Sequence, residues 1–244
     1  MNGPRLTVTA DLAALGAAAA DDVLARAASA IASRGRFAIA LSGGSTPQPL
    51  YERLAASPWR DRTDWSRWHV FWSDERLVPA DDPCSNQRLA QQALLGHVPI
   101  PAAQIHRVPI DAGPPEVVAA AYEGELRASF LLDDGSLPRF DLILLGLGSD
   151  GHTASLFPGA PALDERRRLV VATPPGSLPP AVDRVTFTLP VLNAARAIVF
   201  LVSGADKAEA LRRVLAGDQS LPAARVQPTD GELHWLVDQA ARGR

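Results

Sequence analysis

The sequence predicts an α/β protein on a mostly parallel, open sheet with helices on both faces, Rossmann-like and doubly wound, with a small additional strand and loop region. Three observations predict it. Short apolar runs recur along the chain, segments with apolar residues at helical spacing lie between them, and loops rich in glycine and charge follow the runs, where sheets of this class bind ligands.

Taken in order, the alanine-rich stretch from Ala10 to Ala32 reads as the first helix. It carries Asp11, Asp21 and Asp22 and lacks the basic start and continuous apolar core of a targeting peptide. Strand-like runs follow at Phe37 to Leu41, Trp68 to Trp72, Asp141 to Leu145, Ala197 to Val202 and Leu233 to Val237. Helical spacing appears at Pro47 to Ala56, Ser85 to Leu95, Glu116 to Leu132 and Asp206 to Leu215. Arg184 to Leu189 alternates side chains as a strand near a sheet edge would, and antiparallel pairing is open to it. The proline-rich loops from Pro99 to Pro115 and from Pro174 to Pro180 bring no composition shift, so one domain over residues 1–244 is expected.

Composition excludes several classes of function. With 244 residues, 47% hydrophobic, the chain can bury a full core. A formal charge of −3 without a clustered Lys/Arg block gives no electrostatic case for nucleic acid or an anionic membrane. No run approaches the roughly 18 apolar residues of a membrane span. The lone cysteine, Cys84, rules out an internal disulfide and fits a reducing compartment, so the expected location is the cytoplasm, with no obligatory protein partner evident.

Four loops after predicted strands carry chemistry. In the first, Ser42-Gly43-Gly44-Ser45-Thr46 runs into Pro47, suited to a helix start. Glycines permit close backbone approach, and the helix N-terminus with two hydroxyls offers donors to an anion, so Gly43, Gly44, Ser45 and Thr46 form either a phosphate cradle or a simple capping turn. In the second, Asp74, Glu75 and Arg76 follow the aromatic strand. Arg76 either pairs with Asp74 or presents its guanidinium to a substrate phosphate or carboxylate. Ser85 is suited to cap the next helix, with Asn86 in its first turn.

The third loop contains a formal G-x-G-x-x-G at Gly146, Gly148 and Gly151. A dinucleotide turn would continue into a long helix and meet an acidic residue about 20 positions later. Pro158 and Gly159 stop any helix early, and Asp150 would put a carboxylate beside the pyrophosphate, so that reading fails on context. His152, directly after Asp150-Gly151, is instead a candidate base. Imidazole, with an ordinary pKa near ~6.5, can take a proton from water and return it at neutral pH, and Asp150 could orient the ring. His69, His97, His106 and His234 lack such a setting and are assigned structural or surface roles. In the fourth loop, Lys207 falls in the first turn of a helix, where a cation opposes the macrodipole unless an anion binds nearby; Glu209 or Asp206 could equally hold it.

Together, SGGSTP at Ser42 to Pro47, WSDERLVP with Ser85-Asn86, GLGSDGHTASLFPG at Gly146 to Gly159, RVTFTLP at Arg184 to Pro190 and SGADKAEAL at Ser203 to Leu211 resemble the 6-phosphogluconolactonase family. The resemblance covers nearly the whole chain. It implies hydrolysis of 6-phospho-D-glucono-1,5-lactone to 6-phosphogluconate in the oxidative pentose phosphate pathway, without metal or other cofactor. Carried over, His152 would be the general base. Arg76, Arg184 and Lys207, with Gly43 to Thr46, would hold the phosphorylated lactone, and Asp74 and Asp150 would position groups. The related glucosamine-6-phosphate isomerase/deaminase family commonly shows a tyrosine after Asp-Glu and a glutamate soon after Asp-Gly-His. Here Arg76 stands in the first place and no glutamate precedes Glu165. A sugar-phosphate sensor would leave His152 without a task, and the chain has no room for the usual DNA-binding domain.

Overall fold

The computed structural model describes residues 3–176 and 180–243; part of the Pro174 to Pro180 loop, at 177–179, lies outside the described residues. In chain order the strands are β1 (Arg5–Thr9), β2 (Phe37–Leu41), β3 (Trp68–Trp72), β4 (Asp74–Arg76), β5 (Leu142–Gly146), β6 (Val170–Thr173), β7 (Arg184–Phe187), β8 (Ala197–Val202) and β9 (Glu232–Asp238). The helices are α1 (Leu12–Arg34), α2 (Gln48–Ala55), α3 (Asn86–Ala90), α4 (Pro115–Phe130), α5 (Leu189–Asn193), α6 (Ala208–Leu215) and α7 (Gln239–Arg242).

Six strands form a parallel sheet in the order β1-β9-β8-β5-β2-β3. Its inner strands read as unbroken apolar runs because both faces are covered: every residue of β2 and of β8 is buried. On β9 the His234 ring lies 2.9 Å from Thr7 Oγ1 of β1, while its neighbour Trp235, on the opposite face of the strand, stacks on Phe200 at 3.9 Å. Helix α1 starts where Asp11 accepts the Ala14 N–H at 2.8 Å and ends where Gly35 turns left-handed at φ 75°. Its stripe of Leu15, Ala19, Ala20, Val23, Leu24, Ala27 and Ala30 is buried.

The small region is a three-stranded antiparallel sheet, β4-β7-β6. The chain crosses into it through Ser73, whose N–H donates to Leu41 of β2 at 3.0 Å and whose carbonyl accepts the Phe187 N–H at 2.8 Å. Strand alternation gives this sheet two unlike faces. Register pairs Asp74 with Thr186 and Arg76 with Arg184, and Arg184 with Thr173, so these side chains share one face. Glu75, Val185 and Phe187 occupy the other, where α4 packs, with Tyr122 stacked on Phe187 at 6.0 Å. The expected strand at Arg184 is therefore the centre of its sheet and antiparallel.

Boundaries differ from the expected ones for local reasons. The strand expected from Asp141 begins at Leu142, because the Asp141 carboxylate takes the Ala38 N–H at 2.8 Å and anchors Arg34 at 2.8 Å. The helix expected from Ser85 to Leu95 is five α residues followed by a π-helical turn from Gln91 to Leu95. Lys207 does not lie in the first α turn: a single 3₁₀ turn, Ala205–Lys207, leads into α6. The short strands β4 and β6 carry too few residues for periodicity to reveal, and β1, as long as β2, is a largely exposed edge strand without an apolar run.

Candidate active site

Chain order places a switch point between β2 and β5, since the sheet grows from β2 toward β3 on one side and from β5 toward β8 and β9 on the other. The glycine loop after β2 and the His152 loop after β5 flank that crevice at the carboxyl ends of the strands, where open sheets bind ligands. Buried tyrosines fix two of the strand ends. The Tyr51 hydroxyl accepts the Ser42 N–H at 3.1 Å and donates to the Ser42 carbonyl at 2.7 Å. Tyr122 brackets Trp72 in the same way, at 2.8 and 3.1 Å. Burial pushes both phenols well above their usual range.

In the glycine loop, Gly44 has φ 87°. Gly43 is required for another reason: a Cβ there would lie 1.7 Å from Asn86 Oδ1. No hydrogen bond from the N–H groups of Gly43, Gly44, Ser45 or Thr46 to the protein occurs among the described residues. Four successive donors are thus available ahead of α2, the arrangement that anions occupy.

His152 is a part-buried ring whose Nδ1 lies 2.6 Å from Asp150 Oδ1, which also accepts the His152 N–H at 3.0 Å. A carboxylate only accepts, so in the neutral ring it is Nδ1 that carries the proton and Nε2 that holds the lone pair. Close packing leaves the ring one place. The Phe157 ring lies 4.7 Å away, and a Cβ on Gly148 would be 2.0 Å from His152 Nδ1. The Arg184 guanidinium lies over the Phe157 ring at 5.1 Å, while Arg184 Nη2 donates to Pro180 O at 2.8 Å. Asp150 and Phe157 line a cavity of about 390 Å³ together with Thr173 and Gly176.

Arg76 and Arg184 are cross-strand partners of like charge on the face turned to this crevice. Burial lowers the Arg184 guanidinium from its ordinary value, with Asp74 opposing and Arg76 adding to the shift. Two facing cations of this kind are destabilising unless an anion lies between them. Arg76 does not bridge to Asp74. Its Nη1 donates to Cys84 O at 2.8 Å, and Asp74 is engaged by Ser155 Oγ at 2.6 Å and by Asn86 Nδ2 at 3.5 Å. Lys207 projects from the loop after β8, next to β5, with its ammonium 2.9 Å from Asp206, the alternative partner foreseen for it.

Several contributors escape sequence reasoning. Glu75 is fully buried beneath the site, accepting N–H groups from Arg76 at 2.7 Å, Asn86 at 2.9 Å and Gln87 at 2.7 Å, with Ser85 Oγ at 3.2 Å. Burial nonetheless raises its carboxyl above the usual range. Ser85 caps α3 as expected, accepting the Arg88 N–H at 3.1 Å. Ser155 meets Asp74 across 81 residues of sequence, and no local signal announces that contact. Ser42 Oγ, Arg76 Nε, Asn86 Oδ1 and Thr173 Oγ1 are buried without a hydrogen-bond partner, at a cost of about 1–3 kcal/mol each. All four belong to the elements that frame the crevice.

An open α/β sheet with an oriented imidazole and a row of N–H donors in its strand-end loops, and two cross-strand arginines in the small sheet beside them, carries the kind of groups suited to an anionic small molecule. This chain belongs to the family of glucosamine-6-phosphate isomerases and 6-phosphogluconolactonases, which it matches over residues 10–235. It is 51% identical over 222 residues to a 6-phosphogluconolactonase of Synechocystis sp., covering 90% of this chain and 89% of that one. Identity to the 6-phosphogluconolactonase of Rattus norvegicus is 46% over 231 residues, 93% and 88% of the two chains. Among solved structures, 6-phosphogluconolactonase from Trypanosoma cruzi superposes with a TM-score of 0.87 at 30% identity, over 98% of this chain and 95% of that one. A monomeric glucosamine-6-phosphate deaminase shares the fold, with a TM-score of 0.81 at 20% identity. No helix among the described residues is long and apolar enough to cross a membrane.

Proposed function

We propose that the protein is a 6-phosphogluconolactonase that hydrolyses 6-phospho-D-glucono-1,5-lactone in the cytoplasm, as a step of the oxidative pentose phosphate pathway, with His152 as general base. The observation that carries the mechanism is the 2.6 Å contact from Asp150 to His152 Nδ1, which leaves Nε2 as the acceptor. The high identity to proteins named 6-phosphogluconolactonase supports the choice of substrate.

Water held at Nε2 gives its proton to the ring as its oxygen bonds to the lactone carbonyl carbon. The imidazolium, stabilised by Asp150, then returns that proton to the ring oxygen as the C–O bond breaks, releasing the open-chain acid. General base catalysis of this kind contributes about 10²–10⁴-fold. Orientation supplies the rest: with the phosphate gripped by the Gly43 to Thr46 donors and by Arg76, Arg184 and Lys207, the reacting carbon is fixed relative to the ring, which can be worth several kcal/mol. The substrate's negative charge resolves the repulsion between Arg76 and Arg184. A histidine and backbone donors suffice for this ester, so incubation with a chelator is expected to leave turnover unchanged.

The test is acid release from freshly generated lactone, corrected for spontaneous hydrolysis, by the protein and by a His152→Ala variant. Turnover by the variant near the wild-type rate would remove His152 from the mechanism. Production of ammonia from glucosamine 6-phosphate, with no lactone hydrolysis, would move the protein to the deaminase branch.

A further inference from the structure

We propose that Ser155 is a positioning residue for the reaction, fixing the height of the His152 loop over the glycine loop through the carboxylate of Asp74. The inference rests on the lactonase reading and on His152 as its base. Ser155 is fully buried three residues after His152, and its hydroxyl donates to Asp74 Oδ2 at 2.6 Å. A hydrogen bond to an ionised acceptor is of the shorter, stronger class. Its N–H donates to Thr186 Oγ1 at 3.2 Å, on the same face of the small sheet as Asp74.

The turn that delivers Ser155 is held at both ends. Thr153 Oγ1 donates to Gly146 O at 2.8 Å, tying the turn to the end of β5, and Thr153 and Leu156 pair across it. Ala154 between them sits at φ 47°, a left-handed conformation that non-glycine residues seldom adopt. Such a conformation persists where the surroundings over-determine it.

From Asp74 the connection continues to the other side of the crevice. Asn86 Nδ2 donates to the Asp74 carbonyl at 2.9 Å, and its amide lies flat against Gly43, where no side chain could fit. Glu75 fastens the same end of α3 to β4 through the Asn86 and Gln87 N–H groups. The path from His152 to the glycine loop therefore runs Ser155, Asp74, Asn86, Gly43. Catalysis needs the base and the phosphate grip at a fixed separation, and a misplacement of about 1 Å can cost roughly a hundredfold. The Ser155 bond also draws the Asp74 carboxylate toward the His152 loop, away from Arg76.

Ser155→Ala is expected to lower kcat roughly ten- to a hundredfold with KM within about twofold, measured per folded molecule by circular dichroism. The midpoint of the pH–rate profile should not move, because Asp150 still orients His152. Inorganic phosphate should inhibit variant and wild type equally. Asp74→Ala should show the same loss, and combining the two should add little to either alone. If Ser155→Ala does not fold, Asp74→Asn keeps the shape but weakens the bond, and an intermediate fall in kcat is expected. Unchanged kcat in these variants, a defect confined to KM, or losses that multiply in the double variant would each overturn the role of Ser155. Wild-type protein inactive on the lactone would instead remove the reading beneath it.

Discussion

Two imidazole–carboxylate pairs of identical length occur in this molecule, and their surroundings differ in kind. His152 and Asp150 are 2.6 Å apart in a strand-end loop; His106 and Glu125 are 2.6 Å apart at the β3 edge of the sheet. The far nitrogen of His106 is occupied, 3.0 Å from His69 Nδ1, and Phe71 stacks on its ring at 4.2 Å. Gln104 closes the chain at His69 Nε2, 3.4 Å away. Every ring nitrogen there has a partner, so the row fastens the segment around residues 104–106 to β3. The far nitrogen of His152 has none among the described residues, and Asp150 beside it lines an open cavity. A carboxylate beside a histidine thus does not by itself single out a base; the role proposed for His152 also needs its other nitrogen open to water.

The comparison predicts a hierarchy of effects. His152→Ala should lower kcat by about 10²–10⁴-fold with little change in KM or melting temperature. His106→Ala should do the reverse, lowering the melting temperature while turnover per folded molecule stays near wild type. Equal losses of turnover in the two would erase the distinction. Next in size is Gly148→Ala, whose methyl group claims the position of the His152 ring. Turnover should fall nearly as far as in His152→Ala without a comparable loss of stability. Lys207→Ala should act on binding, raising KM about tenfold, as expected for losing one hydrogen bond to a charged group, and leaving kcat largely intact.

The smallest effect concerns pH. Burial, with His106 and Arg36 adding, holds His69 down to about 4. The folded state then binds fewer protons than the unfolded chain, so this contribution is complete above the ordinary value of about 6.5 and is lost as pH falls toward 4. Urea unfolding at pH 7 and pH 4.5 should show a smaller difference in His69→Gln than in wild type. An identical difference would mean that His69 does not report its surroundings.

Much of the fold was legible because a doubly covered parallel strand must be apolar throughout, as at Phe37 to Leu41 and Ala197 to Val202. The strand-end loops were legible because glycines, a histidine and cations stood where a sheet of this class opens. The small sheet was only partly so. Three-residue β4 is defined by its partner β7 more than a hundred residues away, and three successive charges carry no strand signal. That Asp74 does not pair with Arg76 could not be read without Ser155, whose hydroxyl takes the carboxylate. Asn86 could be placed in a first helical turn, but its contact with Gly43 depends on how two loops approach in space.

One consequence of β4 concerns what the chain can tolerate. Because Asp74 and Arg76 look one way and Glu75 the other, inserting a single residue before Asp74 would exchange their destinations. Glutamate would then take the place of Arg76 beside Arg184 and arginine would be thrust beneath α4. The spacing from Trp72 to Arg76 therefore cannot change by an odd number without inverting the charge that this face of the small sheet presents.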